Sequence, residues 1–340
     1  MNLRTFLATA LLSLALLACS RNDDDSPQDP NNPNPPGGGG NNPASGDTLS
    51  AGWSRQSTGL GGNLADVFFT DSLRGYTCSD MGIFYSGNGG RSWTPVTVPG
   101  GSTRPFVNIG AWNGLAVVAD LSNELTRTIN PGSSVRTAQV ATGGGNPSFR
   151  DVFFISATHS YAASQQHFWR SADGGVTFDT VHRFASNIPD NAALFFLDAN
   201  RGWISRLDGL HQTTDGGVTW TRVSNIGGTA GGVHFLPDGQ TGFFTVGSFV
   251  FKTTDGGSTR IPLSLPGITA SQSGLADLYF FDAQNGYVSV QNKIFRTSDG
   301  GATWTLVART AQPLVELHFT DPQHGWACGL NGTMLRFQQP

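Results

Sequence analysis

Short apolar stretches recur along this chain at intervals of about 40 residues, each followed by a polar turn and a Gly-aromatic pair. Each stretch consists of an apolar residue, any residue and Phe, an alternation that predicts the first strand of a hairpin. The apolar residues that open the copies are separated by 85, 42, 39, 45 and 39 residues and are Val67, Val152, Leu194, Val233, Leu278 and Leu317. The first interval is double and contains a diverged copy at 106–118, so the pattern predicts seven units, as is typical of propellers.

A second pattern follows most copies of the first and predicts a tight turn. It reads SGNGGRSW, SADGGVTF, TTDGGVTW, TTDGGSTR and TSDGGATW, starting at residues 86, 171, 213, 253 and 297. The Asp can accept hydrogen bonds from the backbone N–H groups that follow, and Gly-Gly permits the positive φ of such a turn. The aspartates in this structural role are Asp173, Asp215, Asp255 and Asp299. The aromatic residue that ends the pattern is expected to pack between blades, and Asn88 and Arg260 are departures from the repeat.

Together the two patterns predict four short antiparallel strands in each unit, which make one propeller blade. The expected fold is all-β, a seven-bladed β-propeller over residues 48–340. The seventh unit has only three strands, whereas 53–58 reads as a lone strand like the fourth strand of other units. This N-terminal strand is expected to close the last blade, because closure removes an open sheet edge. The 45 Gly residues agree with a fold rich in turns.

The N-terminal segment predicts export. Residues 1–18 have one early positive charge and an apolar run at 6–17 that is too short to span a membrane, which is the layout of a secretory signal peptide. Residues 19–47 are rich in Pro, Asn and Gly and predict a disordered tether.

The sequence Leu-Leu-Ala-Cys that ends at Cys19 resembles the lipobox of bacterial lipoproteins. This resemblance implies that Cys19 carries lipid, and Ser20 after it implies release to the outer membrane. The acidic run at 23–25 is similar to the surface-export tag of some Gram-negative lipoproteins. The expected location is therefore the outer membrane, exposed at the cell surface, with the lipid as the only contact to the membrane.

The complete repeat, apolar-x-Phe-x-Asp-x-x-x-Gly-Trp followed by Thr-x-Asp-Gly-Gly-x-Thr-Trp, resembles the photosystem II stability and assembly factor family over about residues 50–340. The turn pattern by itself resembles the Asp box, also called the bacterial neuraminidase repeat. The resemblance implies a seven-bladed binding platform without a photosynthetic role. It also implies that the Asp-box aspartates are structural and lie away from the ligand face. The Arg patch of that family cannot be carried over to this sequence residue by residue.

Candidate catalytic residues are few. Propellers with Asp boxes include sialidases and xyloglucanase-type glycosidases, and glycoside hydrolysis needs a pair of carboxylates. Most acidic residues fall at repeated positions or in the leader and tether. Those that remain are Asp80, Asp120, Glu124, Asp179, Asp190 and Asp208, and hydrolysis would be tested at Asp120, Asp190 and Asp208. The His and Tyr residues give no ligand spacing and no nucleophile, so we expect no catalysis, no cofactor and no metal site. A carbohydrate-active hydrolase of the sialidase or xyloglucanase type is the alternative.

Two further sets of residues recur in register with the repeat. Four acidic residues directly precede an opening apolar residue: Asp66, Asp151, Asp277 and Glu316. We expect them to cap local loops, and the alternative is a ring that holds a cation in the channel. Cys78 and Cys328 occupy equivalent places in two units and are expected to be buried thiols, because a disulfide needs Cα atoms within about 7 Å.

The links between units vary most in sequence and are expected to share one face with the turns between second and third strands. Loops on a rigid scaffold usually carry recognition. The candidate contact residues on this face are Arg104, Arg150, His167, Arg183, Arg206 and Asp208. Guanidinium groups bind carboxylate or phosphate groups through parallel hydrogen bonds, and an ordinary solvated surface is the alternative.

These observations predict a monomeric, surface-anchored, non-catalytic platform that binds a protein or a glycan. The net charge of -4 and the pI of about 5.9 give no electrostatic footprint for nucleic acid.

Overall fold

The apolar-x-Phe and Gly-aromatic patterns form the first two strands of each sheet, and seven sheets are present. The structure is a computed structural model that describes residues 46–50, 52–98, 105–120, 124–129, 136–137, 139–140, 149–164, 166–185, 193–225, 230–269 and 276–339. The regular structure in these ranges consists of β-strands, which confirms the predicted seven-bladed, all-β propeller. Within them no helix has the length and apolar character needed to cross a membrane.

The strands follow each other in chain order from the channel outward in each blade. Two short strands come first, β1 (Thr48–Leu49) and β2 (Trp53–Arg55). Blade 1 contains β3 (Leu64–Phe69), β4 (Gly75–Ser79), β5 (Gly82–Ser86) and β6 (Thr94–Pro95), and blade 2 contains β7 (Phe106–Trp112), β8 (Leu115–Asp120), β9 (Leu125–Ile129) and β10 (Arg136–Thr137). After β11 (Gln139–Val140), blade 3 contains β12 (Phe149–Phe154), β13 (Ser160–Ser164), β14 (His167–Ser171) and β15 (Thr177–Arg183). Blade 4 contains β16 (Ala193–Phe196), β17 (Gly202–Arg206), β18 (Gly209–Thr213) and β19 (Thr221–Ser224), and blade 5 contains β20 (Ala230–Phe235), β21 (Gly242–Val246), β22 (Phe249–Thr253) and β23 (Ile261–Leu263). Blade 6 contains β24 (Ala276–Phe280), β25 (Gly286–Val290), β26 (Lys293–Thr297) and β27 (Thr305–Arg309), and blade 7 contains β28 (Leu314–Asp321), β29 (His324–Gly329) and β30 (Met334–Gln338).

The N-terminal strand closes the ring, as predicted. Strand β2 pairs antiparallel with β30, with Trp53 opposite Phe337. The strand covers Trp53–Arg55 and is shorter than the expected 53–58. Two additions were not expected: β1 pairs with β27 as a fifth strand of blade 6, and β11 pairs parallel with β15 in blade 3. Asp47, the last residue of the expected tether, contacts the propeller: its carboxylate forms an ion pair with Arg55 at 2.9 Å.

The hydrophobic core lies between the blades. Each of the seven clusters among the described residues joins two neighbouring blades. Trp203 of blade 4 stacks on Phe235 of blade 5, with ring centroids 3.8 Å apart and planes at 9°. Trp326 of blade 7 stacks on Phe69 of blade 1 in the same way, at 3.7 Å and 4°. The aromatic residue of one repeat therefore packs on the Phe of the next, and full burial of such a side chain contributes about 1.5–3 kcal/mol.

No larger residue fits at the Gly that precedes each of these aromatic residues. A Cβ atom on Gly202 would lie 2.5 Å from the ring of Phe196 in the adjacent strand. The same arrangement recurs at Gly286, where a Cβ atom would lie 2.5 Å from Phe280. The Phe ring thus covers the Gly of its own blade and presents its other side to the neighbouring blade.

The repeated turns form as their sequence predicts. Asp215 accepts hydrogen bonds from Thr219 N at 2.9 Å and from Thr219 Oγ1 at 2.6 Å, and these bonds lower its pKa to about 2. Gly216 and Gly217 have φ of 71° and 86°. The side chains that accept a backbone N–H bond at this position in other blades are Asn88, Asp173, Asp255 and Asp299.

Each of these turns also contacts the first hairpin turn of its own blade. In blade 4, Gly216 N donates to Asn200 O at 2.9 Å. The equivalent bonds in other blades are Gly89 N to Leu73 O, Gly174 N to Thr158 O, Gly256 N to Gln240 O and Gly300 N to Gln284 O. These two kinds of turn share one face of the propeller, so the links between blades and the turns between second and third strands share the other. We call the latter the linking-loop face.

Candidate functional site

Three of the candidate contact residues lie together at one end of blade 3. Arg150 is the second residue of β12, at a register shift between Phe149 and Asp151, His167 opens β14 and Arg183 ends β15, so all three are at the linking-loop face. His167 and Arg183 are direct partners across β14 and β15. Arg183 is exposed, and Arg150 and His167 are half-buried. Partial burial and the charge of Arg183 lower the pKa of His167, so this imidazole is neutral at pH 7.

Arg206 differs from the expectation of an exposed charge, because only 2% of its surface is accessible. Its guanidinium carbon lies 3.9 Å from the ring centroid of Phe184, and its Nε lies 3.4 Å from Asp208 Oδ1. His211 Nε2 lies 3.2 Å from the same carboxylate oxygen. Burial is the main cause that lowers the pKa of His211, and the charge of Asp208 opposes it.

This arrangement makes Arg206 a support of the linking-loop face rather than an exposed contact on it. Phe184 begins the link after blade 3, and its backbone N donates to Gln166 O at 2.7 Å. Arg206 of blade 4 holds the ring of Phe184 by a cation-π contact, which fixes the start of the link. Phe184 and His211 were not candidates in the sequence; the available signal was a large aromatic residue directly after the last strand of blade 3.

The remaining sequence candidates divide into two groups. Arg104, Asp190 and Cys19 lie outside the described residues, as does the signal peptide at 1–18. Asp120 is described and is 1% exposed, with Oδ1 accepting from Glu124 N at 3.0 Å.

The acidic residues that precede the opening apolar residues lie within the inner strands and bind neighbouring blades. An oxygen at this position accepts a hydrogen bond from the backbone N–H of the next inner strand in four places. These bonds are Ile109 N to Asp66 Oδ2 (2.6 Å), Val152 N to Asn108 Oδ1 (2.7 Å), Leu194 N to Asp151 Oδ2 (2.6 Å) and Leu317 N to Asp277 Oδ2 (2.9 Å). The expectation that these side chains cap local loops is therefore wrong, because they join one blade to the next. We call Asp66, Asn108, Asp151, Asp277 and Glu316 the inner ring.

Burial raises the pKa of every carboxyl group of the inner ring. The pKa of Asp66 rises to about 8, that of Asp151 to about 7 and that of Asp277 to about 6. Glu316 is hydrogen-bonded to Asp277, and burial together with the charge of Asp277 raises the pKa of Glu316 well above its usual range. At pH 7 Asp66 therefore keeps its proton, whereas Asp277, with the lowest of these three pKa values, is mostly ionised. Among the residues that the structure describes, no group of three or more His, Cys, Asp or Glu is arranged to hold a metal ion.

Aromatic side chains lie two residues further along the same inner strands. His234 contacts Tyr279 with ring centroids 4.8 Å apart, and His318 contacts Phe68 at 4.3 Å. Burial lowers the pKa of both His residues to about 4, so they are neutral at pH 7.

The two Cys residues of the propeller are buried free thiols, as the sequence indicates. Burial raises the pKa of Cys78 and Cys328 well above the usual range, so neither is an activated nucleophile.

Comparison with known proteins identifies the fold. No family model and no curated protein matches the chain. A structure of YCF48 bound to D1 peptide is similar, with a TM-score of 0.71 and 17% identity over 85% of this chain and 96% of that chain. YCF48 from Cyanidioschyzon merolae has a TM-score of 0.68 and 15% identity over 85% of this chain and 99% of that chain.

An enzyme also occurs among the similar folds. An ancestral GH74 enzyme has a TM-score of 0.64 and 17% identity over 84% of this chain but only 46% of that chain. At such identities the likeness concerns the fold alone. The chain is thus a seven-bladed propeller that is similar in fold to YCF48.

Proposed function

We propose that this chain is a surface-anchored, non-catalytic platform that binds a protein partner through the linking-loop face. The observation that carries the proposal is the row formed by Arg150, His167 and Arg183 at one end of blade 3. The exposed guanidinium of Arg183 suits a carboxylate, because its planar fork can donate two parallel hydrogen bonds. The contact between Arg206 and Phe184 holds the residue that directly follows Arg183, which lowers the entropic cost of binding.

The class of partner rests on the fold. YCF48, a propeller with a similar fold, is described in complex with a D1 peptide. A carboxylate-bearing segment of a protein is therefore the ligand that we propose, and a glycan is the other outcome of the test.

Capture from the native outer membrane tests the face. We expect the R150Q/R183Q double variant of the full chain to retain much less partner than wild type, and the wild-type complex to weaken as salt rises. R309Q is the matched control, because Arg309 is an exposed Arg at the end of β27 in blade 6. If the double variant and wild type capture the partner equally, Arg150 and Arg183 do not contribute to binding.

A carbohydrate-active hydrolase is the competing function, since a GH74 enzyme shares the fold. Two of its candidate carboxylates are engaged elsewhere: Asp120 is buried, and Asp208 pairs with Arg206 and His211. Purified protein should therefore release no product from sialosides or β-glucans. Turnover that disappears in D120N or D208N, with the fold intact, would establish the hydrolase instead.

The anchoring part of the proposal rests on the lipobox residues that end at Cys19. We expect wild type to incorporate a fatty-acid label and to fractionate with the outer membrane. The C19A variant should remain unprocessed and unlabelled, and labelling of this variant would refute the assignment of Cys19.

A further inference from the structure

The blade 5 turn departs from the repeat at its last position. Other blades have an aromatic residue there that packs against the core, such as Trp220 beside Phe168 and Trp304 beside Phe280. In blade 5 this position is Arg260, whose side chain is exposed. The turn itself is retained, because Thr259 N still donates to Asp255 Oδ1 at 2.8 Å. The substitution therefore changes the chemistry of the surface and not the course of the chain.

A groove lies where the aromatic residue would otherwise cover the junction of blades 4 and 5. It has a volume of about 450 Å³, within the range of about 300–1,000 Å³ that is usual for ligand sites. One wall is the outer strand of blade 4 and the other is the blade 5 turn. The lining residues are Arg222, Val223, Ser224, Asn225, Ser258, Thr259 and Arg260.

Two guanidinium groups give the groove its charge. Arg260 Nη1 donates to Asn225 O at 3.0 Å, and its guanidinium carbon lies 5.8 Å from the ring centroid of Phe251. Arg222 Nη1 donates to Asp208 O at 3.3 Å. Each guanidinium has five N–H donors, so these contacts orient the groups and leave donors for a ligand. Within the described part of the chain, neither Arg forms an ion pair with a carboxylate.

The lining has one apolar residue, Val223, and that side chain packs against the core between blades 4 and 5. Peptide interfaces usually depend on a buried aromatic or aliphatic anchor, for which this groove has no pocket. Hydroxyl, amide and guanidinium groups around an open groove suit a hydrophilic anion instead. We propose that the groove between blades 4 and 5 binds the carboxylate or sulfate group of an acidic saccharide, held by Arg222 and Arg260. This site lies at the outer strands and is separate from the row on blade 3.

Titration of the purified full chain with four probes tests the proposal. The probes are a galacturonic acid tetramer, a sulfated oligosaccharide, a neutral glucan tetramer and a Glu-rich peptide of matched charge. We expect one or both acidic saccharides to bind and the neutral tetramer not to bind. The affinities of the two acidic saccharides show whether a carboxylate or a sulfate group is recognised.

Variants then assign the site. R260W restores the residue that stands at this position in blades 1, 4 and 6, so it should fill the groove and keep the fold. R260W and R222Q should each weaken binding by about tenfold or more, as loss of a charge-assisted contact requires. R309Q should stay within about twofold of wild type. If R260W does not fold, R260Q takes its place with the same expected loss.

Three results would overturn the proposal: no binding of either acidic saccharide at millimolar concentration, tighter binding of the peptide, or unchanged affinity in R222Q and R260Q.

Discussion

The inner ring predicts that the propeller becomes less stable as the pH rises above neutrality. The pKa of Asp66 is about 8 in the folded protein and near 3.8 in an unfolded chain. Between these values the folded state holds a proton that the unfolded state has released. Unfolding then releases this proton, so the free energy of unfolding falls as pH rises until it levels off above about pH 8.

The useful window runs from pH 6.5 to 8. Below pH 6.5 the inner-strand His residues change the free energy of unfolding in the opposite direction. Above pH 8 Cys78 and Cys328 begin to ionise in the unfolded chain. Each proton that the folded state retains changes the free energy of unfolding by about 1.4 kcal/mol per pH unit. Because Asp66 itself titrates near pH 8, it accounts for a loss of about 1.6 kcal/mol across the window, and Glu316, whose pKa is also raised, adds to it. In a domain of this size such a loss lowers Tm by about 3 °C.

The variant D66N separates the charge from the hydrogen bond. Asn108 already occupies this position in blade 2 and accepts from Val152 N at 2.7 Å, so an amide oxygen can serve the purpose. D66N should keep the bond to Ile109, lose the proton and be more stable than wild type at pH 8. D66A is the matched control: it also lacks the carboxyl but leaves a buried N–H without an acceptor, so it should be about 1–3 kcal/mol less stable than D66N at every pH.

Denaturant unfolding at half-unit steps of pH measures these effects. A wild-type stability that is constant or rises from pH 6.5 to 8 would refute the reasoning, as would a D66N profile with the wild-type slope.

The acid side of the profile has a separate origin in the inner-strand His residues. Burial lowers the pKa of His234 to about 4, so the folded state resists protonation while the unfolded chain gains a proton below about pH 6.5. Stability should therefore fall from pH 6.5 towards 4 by about 1.4 kcal/mol per pH unit for this group. H234F places Phe where Phe68 stands in blade 1 and should reduce this slope. An unchanged acid slope in H234F would assign the loss to other groups.

Two further predictions concern packing. G202A should lower the free energy of unfolding by roughly 2 kcal/mol or more, because its Cβ atom would lie 2.5 Å from the ring of Phe196. G61A, where no atom lies within 4 Å of the new Cβ, should be nearly neutral, and equal losses in both variants would refute the steric argument. R206A should cost about 2 kcal/mol, because it removes a buried side chain and its ion pair, whereas R183A should change stability by about 0.5 kcal/mol or less. Equal melting temperatures for these two Arg variants would show that Arg206 has no structural role.

The sequence by itself determined the blades. Strand pairing within a blade joins residues that are close in the chain, so short sequence patterns predict it. These patterns are a period of about 40 residues, an apolar-x-Phe strand, and turns that contain Asp and Gly. The count of seven and the closing strand at Trp53–Arg55 follow from the same periodicity, because a missing fourth strand and a spare strand can be counted. The hydrogen bonds of the Asp215 turn were also predictable, since donor and acceptor are four residues apart.

The tertiary structure decided what happens between blades. Asp66 binds a backbone group 43 residues away, and Arg206 packs on Phe184 of the preceding blade, so both roles depend on how neighbouring sheets are placed. A repeat pattern records which residue types share a position, but it does not record which neighbour they contact. For that reason the sequence presented Arg206 as an exposed contact and Arg260 as a defective turn. The packing of adjacent blades makes Arg206 a buried support and leaves Arg260 in one wall of an open groove.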